Sequence, residues 1–222
     1  MQFHLRHSIK DGGDLVFIEE TILPSLENLL QDDRECLFFG FKLEIVGEKD
    51  PDSGEHHKIS QFSFINQNNE IVNNSDMDSN IYIADFFFTR CTNICIAMAY
   101  NMSELQEYYK NDNDIMFLSH SVTPVIDSVS VLKTYAENKG VIDGKWNVTT
   151  GSKKHIYELA RKSYFAVLED GDGGENDFIH TEQFVLVDKE RRLRGYYDGT
   201  EKKDMEKLKK DIALLKEEYT NK

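Results

Sequence analysis

The clearest pattern in the chain is an almost uninterrupted apolar run at residues 81–88, which reads IYIADFFF. A run of this length, rich in β-branched and aromatic residues, is typical of a strand covered on both faces in the middle of an α/β sheet. The run breaks at Thr89-Arg90, and the apolar residues from Ile96 to Leu105 then recur with helical spacing. The pattern therefore predicts a buried strand that leads directly into a helix.

Strand and helix patterns alternate along the rest of the chain after Lys58. Short apolar or alternating runs predict further strands at residues 61–65, 115–120, 146–149, 164–168, 184–188 and 193–197. Helical spacing and capping residues predict helices that begin near residues 127, 152 and 200. This order predicts an α/β fold, a sandwich in which helices flank a central mixed β-sheet, with a late β-hairpin and a C-terminal helix.

The first part of the chain lacks this alternation. A turn sequence at residues 50–54, DPDSG, separates it from the remainder. We therefore expect an N-terminal extension of uncertain structure at residues 1–50 and one domain at residues 51–222. Cys36, in the extension, is interpreted as a small buried hydrophobic residue.

The charge balance argues against two classes of protein. With 40 acidic and 26 basic residues the net charge is −14, whereas a nucleic-acid binder or a polybasic membrane-surface protein presents a basic face. No apolar run reaches the roughly 18 residues of a membrane-spanning helix, and the first residues lack the pattern of a signal peptide. From these features we expect either a cytoplasmic protein or one whose targeting segment lies outside this chain.

Cys91 and Cys95 stand between the predicted buried strand and its helix. If the segment between them is helical, their spacing puts both on one face with Cα atoms roughly 6 Å apart. That separation allows a disulfide or the shared binding of a soft cation such as Cu(I). A helix N-terminus and the neighbouring Arg90 are expected to favour the thiolate form. Two core cysteines on an amphipathic helix are the alternative, and the spacing alone does not decide between them.

Four segments, in order and with compatible spacing, resemble the Sco/SenC family of copper-binding, thioredoxin-like assembly proteins. The first, DFFFTRCTNICIAM, resembles the family motif FxxTxCPxxCPxM. The others, SHSVTPVIDSVSVLKTYAENKG, KWNVTTG and DFIHTEQFVLVDKERRLRGYYDGT, resemble three later family segments. The resemblance extends from about Lys58 to the last helix and implies a thioredoxin-like fold for this part of the chain.

The resemblance also implies a ligand set. In the family, two motif cysteines and a histidine before the late hairpin bind copper, and the matching positions are Cys91, Cys95 and His180. Two thiolates suit Cu(I), and an added imidazole allows Cu(II) as well. Asp127 matches a family acidic position, which implies either a role in supporting the ligands or the capping of a helix.

The function implied by the resemblance is that of a copper metallochaperone. Such a protein takes copper from a donor protein and delivers it to the copper-receiving subunit of a respiratory oxidase, by ligand exchange and without turnover. Family members are tethered in the periplasm or the mitochondrial inner membrane. The resemblance therefore implies a membrane-associated protein of the periplasm or cell envelope, although no anchor is visible in this chain.

The chain departs from the family pattern at three positions. Thr92 and Ile96 stand where prolines usually follow the two cysteines, and Thr123 replaces the aspartate usual before Pro124. We expect the loop to be less restrained than in relatives, with a different copper affinity and thiol potential.

Three other functions stay open at this point. A thiol-disulfide oxidoreductase would use Cys91 to attack and Cys95 to resolve, reducing partner cysteines before metallation. A redox-sensing relative would keep the thiol pair without delivering copper. The segment from Thr92 to Cys95 also fits the TxxC pattern of peroxiredoxins, but Phe88 stands where their proline belongs. Whether the protein is an enzyme is left open, with the chaperone preferred.

The remaining candidate residues have simpler interpretations. His120 is expected to be structural, and His56-His57 to lie in a solvated turn. Residues 169–177, EDGDGGEND, predict a mobile acidic loop from which His180 would swing towards or away from the cysteines. The loop lacks the glutamate that an EF-hand calcium site requires, so calcium binding is excluded there.

Overall fold

Seven strands form one mixed sheet in the part of the chain that the computed structural model describes, residues 42–47 and 49–221. They are β1 (Ser63–Asn66), β2 (Ile71–Asn73), β3 (Ile81–Phe87), β4 (Ile115–Ser121), β5 (Trp146–Thr150), β6 (Gln183–Val187) and β7 (Leu193–Asp198). Their order across the sheet is β2-β1-β5-β4-β3-β6-β7. The three central strands β5, β4 and β3 are parallel, and the pairs on either side of them are antiparallel.

Helices cover both faces of this sheet. They are α1 (Asn74–Met77), α2 (Ile94–Tyr108), α3 (Val129–Lys139), α4 (Lys153–Glu158) and α5 (Lys202–Thr220). A π-helical turn, Leu159–Ser163, continues α4. Gly140 ends α3 in the left-handed conformation, with φ of 68°, as the sequence predicts for a C-terminal glycine. The predicted α/β architecture, with its mixed sheet, hairpin and terminal helix, is confirmed.

The central strand β3 is buried along its whole length. Its alternation sends Tyr82, Ala84 and Phe86 into one hydrophobic core, which also contains Tyr157 from α4. Ile81, Ile83 and Phe87 enter a second core with residues of α2 and α5. Coverage of both faces explains why the run contains almost no polar residue.

Strand register brings three chain connections, those after β3 and β4 and that before β6, to one edge of the sheet. In the parallel β3–β4 pair, Phe87 lies opposite Ser121, so both strands end at the same level. In the antiparallel β3–β6 pair, Ala84 lies opposite Val185, so β6 begins beside the end of β3. The residues that follow β3 and those that precede β6 therefore meet at this edge.

The strand expected at residues 164–168 is wrong. Residues 165–168 have no regular secondary structure, because their backbone bonds return to the preceding helical turn. Tyr164 N–H donates to Leu159 O at 2.8 Å, and Ala166 N–H donates to Ala160 O at 2.9 Å. The left-handed φ of 48° at Phe165 also prevents an extended chain.

Two short elements, β2 and α1, are additions that the sequence pattern did not predict. The turn into α1 is fixed by a capping box, in which the Asn73 side chain accepts from Ser75 N–H and the Asp76 side chain accepts from Asn73 N–H. Polar residues at Asn73 to Asp76 obscured the hydrophobic spacing of so short a helix.

Residues 42–47 have no regular secondary structure but are bound to the last elements of the domain. The buried Arg194 of β7 donates to Glu44 O at 3.2 Å and pairs with Glu218 of α5 at 2.8 Å. The predicted division of the chain at residue 50 stays a prediction, and Cys36 lies outside the described residues. None of the helices within the described ranges is long and apolar enough to cross a membrane.

Candidate metal and thiol site

Cys91 and Cys95 lie at the junction between β3 and α2. Helix α2 begins at Ile94, so Cys95 is in its first turn, whereas Cys91 lies in the preceding loop. The segment between the two cysteines is therefore only partly helical. The cap residue Asn93 makes no side-chain cap hydrogen bond, which leaves the backbone N–H groups of this turn available to a nearby acceptor.

The two thiols have opposite properties. Burial raises the pKa of Cys91, but hydrogen bonds from the Cys95 thiol and from the backbone N–H groups of Asn93 and Cys95 outweigh this and lower that pKa below its ordinary value. Burial and the hydrogen bond to Cys91 raise the pKa of Cys95 to about 12. Cys91 is half-buried, and Cys95 is buried against the core of α2 and α5. Cys91 is thus the thiol that ionises first.

Asp127 holds the loop that leads to Cys91. Its fully buried carboxyl group accepts hydrogen bonds from Thr89 N–H at 3.2 Å and from Thr89 Oγ1 at 2.5 Å. Ser121 Oγ donates to it at 2.6 Å and Thr123 Oγ1 at 2.8 Å. The N-cap of α3 is Ser128, so the capping role considered for Asp127 is wrong. Its contacts are with the segment before Cys91 instead.

The segment that contains His180 runs along the same edge of the sheet. His180 is exposed, and its two neighbours are buried and bonded. Ile179 N–H donates to the Tyr157 hydroxyl at 3.4 Å, and Thr181 Oγ1 donates to Ala166 O at 2.9 Å. The backbone at His180 is therefore attached on both sides while its imidazole faces solvent.

Contacts between aromatic rings and through Tyr157 join this segment to the cysteine loop. The rings of Phe88, which follows β3, and Phe178 meet edge to face, with centroids 5.2 Å apart. The Tyr157 hydroxyl, which accepts from Ile179, also donates to Val122 O at 3.0 Å. Because Asp127 and Val122 belong to the same connection after β4, that connection anchors both segments.

The structure does not gather the three proposed ligands into one cluster. Among the described residues, no three His, Cys, Asp or Glu side chains lie close enough together to hold a metal ion. Cys91 and Cys95 are adjacent, and His180 belongs to the neighbouring segment with its side chain directed to solvent. A three-ligand site thus requires a change of the His180 side chain or of its segment.

Sequence reasoning missed a buried acid beside the cysteines, Asp85. It lies on the α2 face of β3 and hydrogen-bonds Ser119 Oγ, which also accepts from Trp146 Nε1 at 2.9 Å. Burial raises the pKa of Asp85 to about 7, against the opposing hydrogen bond from Ser119. The signal was present in the sequence, because Asp85 is the one charged residue in the apolar run 81–88.

Two other histidines that the sequence singles out, His120 and His57, pack within the domain, although Nε2 of His120 is buried without a hydrogen-bond partner. His120 is fully buried, its Nδ1 lies 3.0 Å from Thr149 Oγ1, and the rings of Phe64 and Phe86 lie 5.3 Å from it. Burial lowers the pKa of His120 to about 3, which keeps the ring neutral. His57 Nε2 lies 2.8 Å from Ser163 O, so that ring packs on the domain surface.

Comparison with known proteins decides the family. The sequence model of the SCO1/SenC family matches residues 50–216. The chain belongs to the SCO1/SenC family. A SCO1 protein homolog from Bacillus subtilis is 32% identical over 159 residues, which cover 71% of this chain and 82% of that protein. As a family member, the chain keeps both motif cysteines and lacks both prolines after them.

Solved structures confirm the thioredoxin-like α/β fold. A SCO1/SenC family lipoprotein from Bacillus anthracis superposes with a TM-score of 0.63 at 27% identity, covering 72% of this chain and 95% of that one. BsSco, described as a Sco-family cytochrome c oxidase assembly protein with a disulfide switch, gives 0.62 at 29% identity, covering 76% and 98%. Copper-bound ScoI from Arabidopsis thaliana shares the fold alone, with 0.55 at 22% identity, covering 72% and 98%.

Proposed function

We propose that this SCO1/SenC protein is a copper metallochaperone. Cys91, Cys95 and His180 bind one copper ion and deliver it to the copper centre of a respiratory oxidase. The observation that carries the proposal is the contact between the two ligand segments: Phe88 precedes Cys91 by three residues, Phe178 precedes His180 by two, and their rings touch. The segment that carries His180 therefore already lies against the segment that carries the cysteines, and the imidazole has only to turn towards the thiols.

The donor set suits copper, and the two thiols enter the site from different protonation states. Cys91, with its lowered pKa, supplies a thiolate at neutral pH. Cys95 must lose its proton when the metal binds, because its raised pKa keeps the free thiol protonated. Two thiolates favour Cu(I), and addition of the exposed imidazole of His180 extends the site to Cu(II).

Asp127 supports this site from behind the cysteine loop. By accepting both the backbone N–H and the hydroxyl of Thr89, it fixes the chain two residues before Cys91. Supporting groups of this kind commonly change metal affinity by tenfold or more when removed. Thr123, which replaces the usual aspartate, adds a third hydroxyl-type contact to the same carboxyl group.

The partners and location follow from relatives. BsSco assembles cytochrome c oxidase, and ScoI of Arabidopsis thaliana binds copper, so we infer an oxidase subunit as recipient and a separate protein as copper donor. The Bacillus anthracis relative is a lipoprotein, which supports a place in the periplasm or cell envelope. The net charge of −14 argues against nucleic acid as a partner.

An anaerobic copper titration tests the proposal. In separate titrations, the reduced protein is expected to bind either one Cu(I) or one Cu(II) per chain. Bound Cu(II) is expected to give the sulfur-to-copper charge-transfer bands of a thiolate site. His180→Ala should shift those bands and weaken Cu(II) binding. His57→Ala, which removes a histidine packed on Phe165, is the matched control. The proposal is contradicted if the reduced protein does not bind Cu(I) stoichiometrically, or if the Cu(II) spectrum is unchanged in His180→Ala.

A second function is favoured by the difference between the two thiols. As an oxidoreductase, the Cys91 thiolate attacks a partner disulfide, and one partner sulfur leaves as a thiolate. Cys95 then loses its proton and attacks Cys91 of the mixed disulfide, which oxidises this pair and releases the second partner thiol. Reduction of a model disulfide by wild type but not by Cys91→Ser would support it, and equal rates would exclude it.

A further inference from the structure

An ion pair attaches the acidic glycine-rich loop before His180 to the π-helical turn that continues α4. Arg161 Nη1 donates to Asp177 Oδ2 and Arg161 Nη2 to Asp177 Oδ1, each at 2.7 Å, and each side chain is 10% exposed. Arg161 Nε also donates to Glu169 O at 2.7 Å. A paired, two-bond contact of this type fixes orientation as well as distance. It joins the first and last residues of the loop to one side chain.

Lys153 and Tyr157 complete the attachment. Lys153 Nζ donates to Gly174 O at 2.5 Å and to Asp177 O at 2.7 Å. The ring of Tyr157 lies between the two cations, 4.9 Å from Lys153 Nζ and 5.5 Å from Arg161 Cζ. Its hydroxyl accepts from Ile179 N–H. Lys153, Tyr157 and Arg161, spaced four residues apart, thus hold the chain from the loop to Ile179.

The glycines of the loop are explained by this attachment. A Cβ at Gly171 would lie 2.4 Å from both Arg161 Nη2 and Asp177 Oδ2, so any other residue there would displace the two side chains of the ion pair. Gly173 has φ of 70°, and its N–H donates to Asp177 Oδ2 at 2.7 Å. A Cβ at Gly174 would meet only the side chain of Asp172, at 2.9 Å. The composition that predicts a mobile loop therefore builds a fixed one.

We infer that Arg161 and Asp177 form a latch that positions His180 for copper. Asp177 is three residues before His180, and Phe178, between them, contacts Phe88 of the cysteine segment. With the latch closed, only the His180 side chain needs to turn towards the thiols. With it open, the segment from Glu169 to His180 must also be ordered, which weakens binding. The inference rests on the proposed function, since it assumes that His180 is a ligand.

Two variants open the latch by different means. Arg161→Gln removes the charge and both bonds to Asp177. Gly171→Ala keeps every charge and displaces Arg161 by contact. Lys162→Gln, which removes an exposed positive charge next to Arg161, is the control for electrostatics.

Hydrogen exchange of the copper-free protein tests the latch by itself. We expect the amides of Gly173 and Ile179 to exchange at least about tenfold faster in Arg161→Gln and Gly171→Ala, with wild-type rates in Lys162→Gln. Unchanged exchange in both latch variants overturns the inference and leaves the proposed function standing.

Copper binding tests whether the latch acts through His180. Competition titrations should show Cu(II) affinity about tenfold weaker in Arg161→Gln and unchanged in Lys162→Gln. In a His180→Ala background, Arg161→Gln should cause no further loss. A further loss there, or wild-type affinity in Arg161→Gln alone, overturns the latch only. Wild-type Cu(II) affinity in His180→Ala overturns both the latch and the proposed function.

Discussion

The cysteine segment and the His180 segment reach the same edge of the sheet but are held in different ways. Before Cys91, the loop depends on one acceptor, the carboxyl group of Asp127, which takes both bonds from Thr89. Before His180, the chain has several independent attachments, through Arg161, Lys153 and the Tyr157 hydroxyl. A single change removes the main acceptor of the first segment, whereas the second keeps its bonds to Lys153 and Tyr157 when the Arg161–Asp177 pair is removed.

This difference matches the departures from the family motif. Without prolines at Thr92, in the cysteine loop, and at Ile96, in the first turn of α2, we expect the unfolded chain to have more backbone freedom. Asp127 is then the principal contact that restrains it. The loop before His180, EDGDGGEND, consists of acidic and glycine residues except for one asparagine. It is nevertheless held by hydrogen bonds to Arg161 at both ends. Composition alone is a poor guide to which of the two is restrained.

The largest expected effect comes from Asp127→Ala. It leaves the half-buried Thr89 N–H and three hydroxyl groups without their shared acceptor, so we expect a loss of about 3 kcal/mol in the free energy of unfolding. Urea denaturation measures it, and hydrogen exchange should show Thr89 unprotected while Ile179 keeps its protection.

A matched variant, Ser121→Ala, distinguishes the loss of the Asp127 carboxyl group from the loss of one of its donors. Ser121→Ala removes one donor, bonded at 2.6 Å, and should cost about 1 kcal/mol. If Asp127→Ala costs no more than this single deletion, the cysteine loop does not depend on one acceptor and the contrast with the His180 segment fails.

The second prediction concerns the thiols of the metal-free, reduced protein. Cys95, with a pKa of about 12 against an ordinary 9.0, has a thiolate fraction about a thousandfold below that of a free cysteine. Its greater intrinsic nucleophilicity recovers about twentyfold of this. Cys91, with its lowered pKa, is therefore expected to react with iodoacetamide on the order of a hundredfold faster at pH 7.5.

Peptide mapping by mass spectrometry follows each cysteine separately. In Cys91→Ser the hydrogen bond to a Cys91 thiolate is lost, so the pKa of Cys95 should fall and its alkylation should accelerate. Equal rates for the two thiols in wild type would show that the cysteine loop does not differentiate them. The attacking role proposed for Cys91 would then have no basis.

Strong periodic signals made most of the fold predictable. The run 81–88 is buried on both faces because its sequence has no polar side to expose, and Gly140 ends α3 because a left-handed residue is needed there. The wrong strand at residues 164–168 has an apolar sequence too. Its backbone N–H groups at Tyr164 and Ala166 donate to the preceding π-helical turn, and no local sequence pattern predicts such a turn.

The site was predictable only in part, because its supports come from distant residues. The sequence singles out Cys91, Cys95, His180 and Asp127, but it does not show that Asp127 reaches Thr89, 38 residues away. Nor does it show that Arg161 bonds to both ends of the glycine-rich loop, at Glu169 and Asp177. Pairings of this kind follow from strand order and register, which place separate connections at one edge of the sheet.

The smallest effect is expected from Tyr157→Phe. The change removes the hydroxyl that joins Val122 O to Ile179 N–H but keeps the ring between Lys153 and Arg161. We expect a loss of about 1 kcal/mol in the free energy of unfolding, and Tyr197→Phe, whose hydroxyl binds Asp211 at 2.7 Å on another part of the domain, is the control. Because the ion pair of Arg161 and the bond from Thr181 remain, exchange at Gly173 should not change and Cu(II) affinity should fall less than twofold. A larger loss of Cu(II) affinity would mean that the Tyr157 hydroxyl, and not the Arg161–Asp177 pair, is the main attachment of the His180 segment.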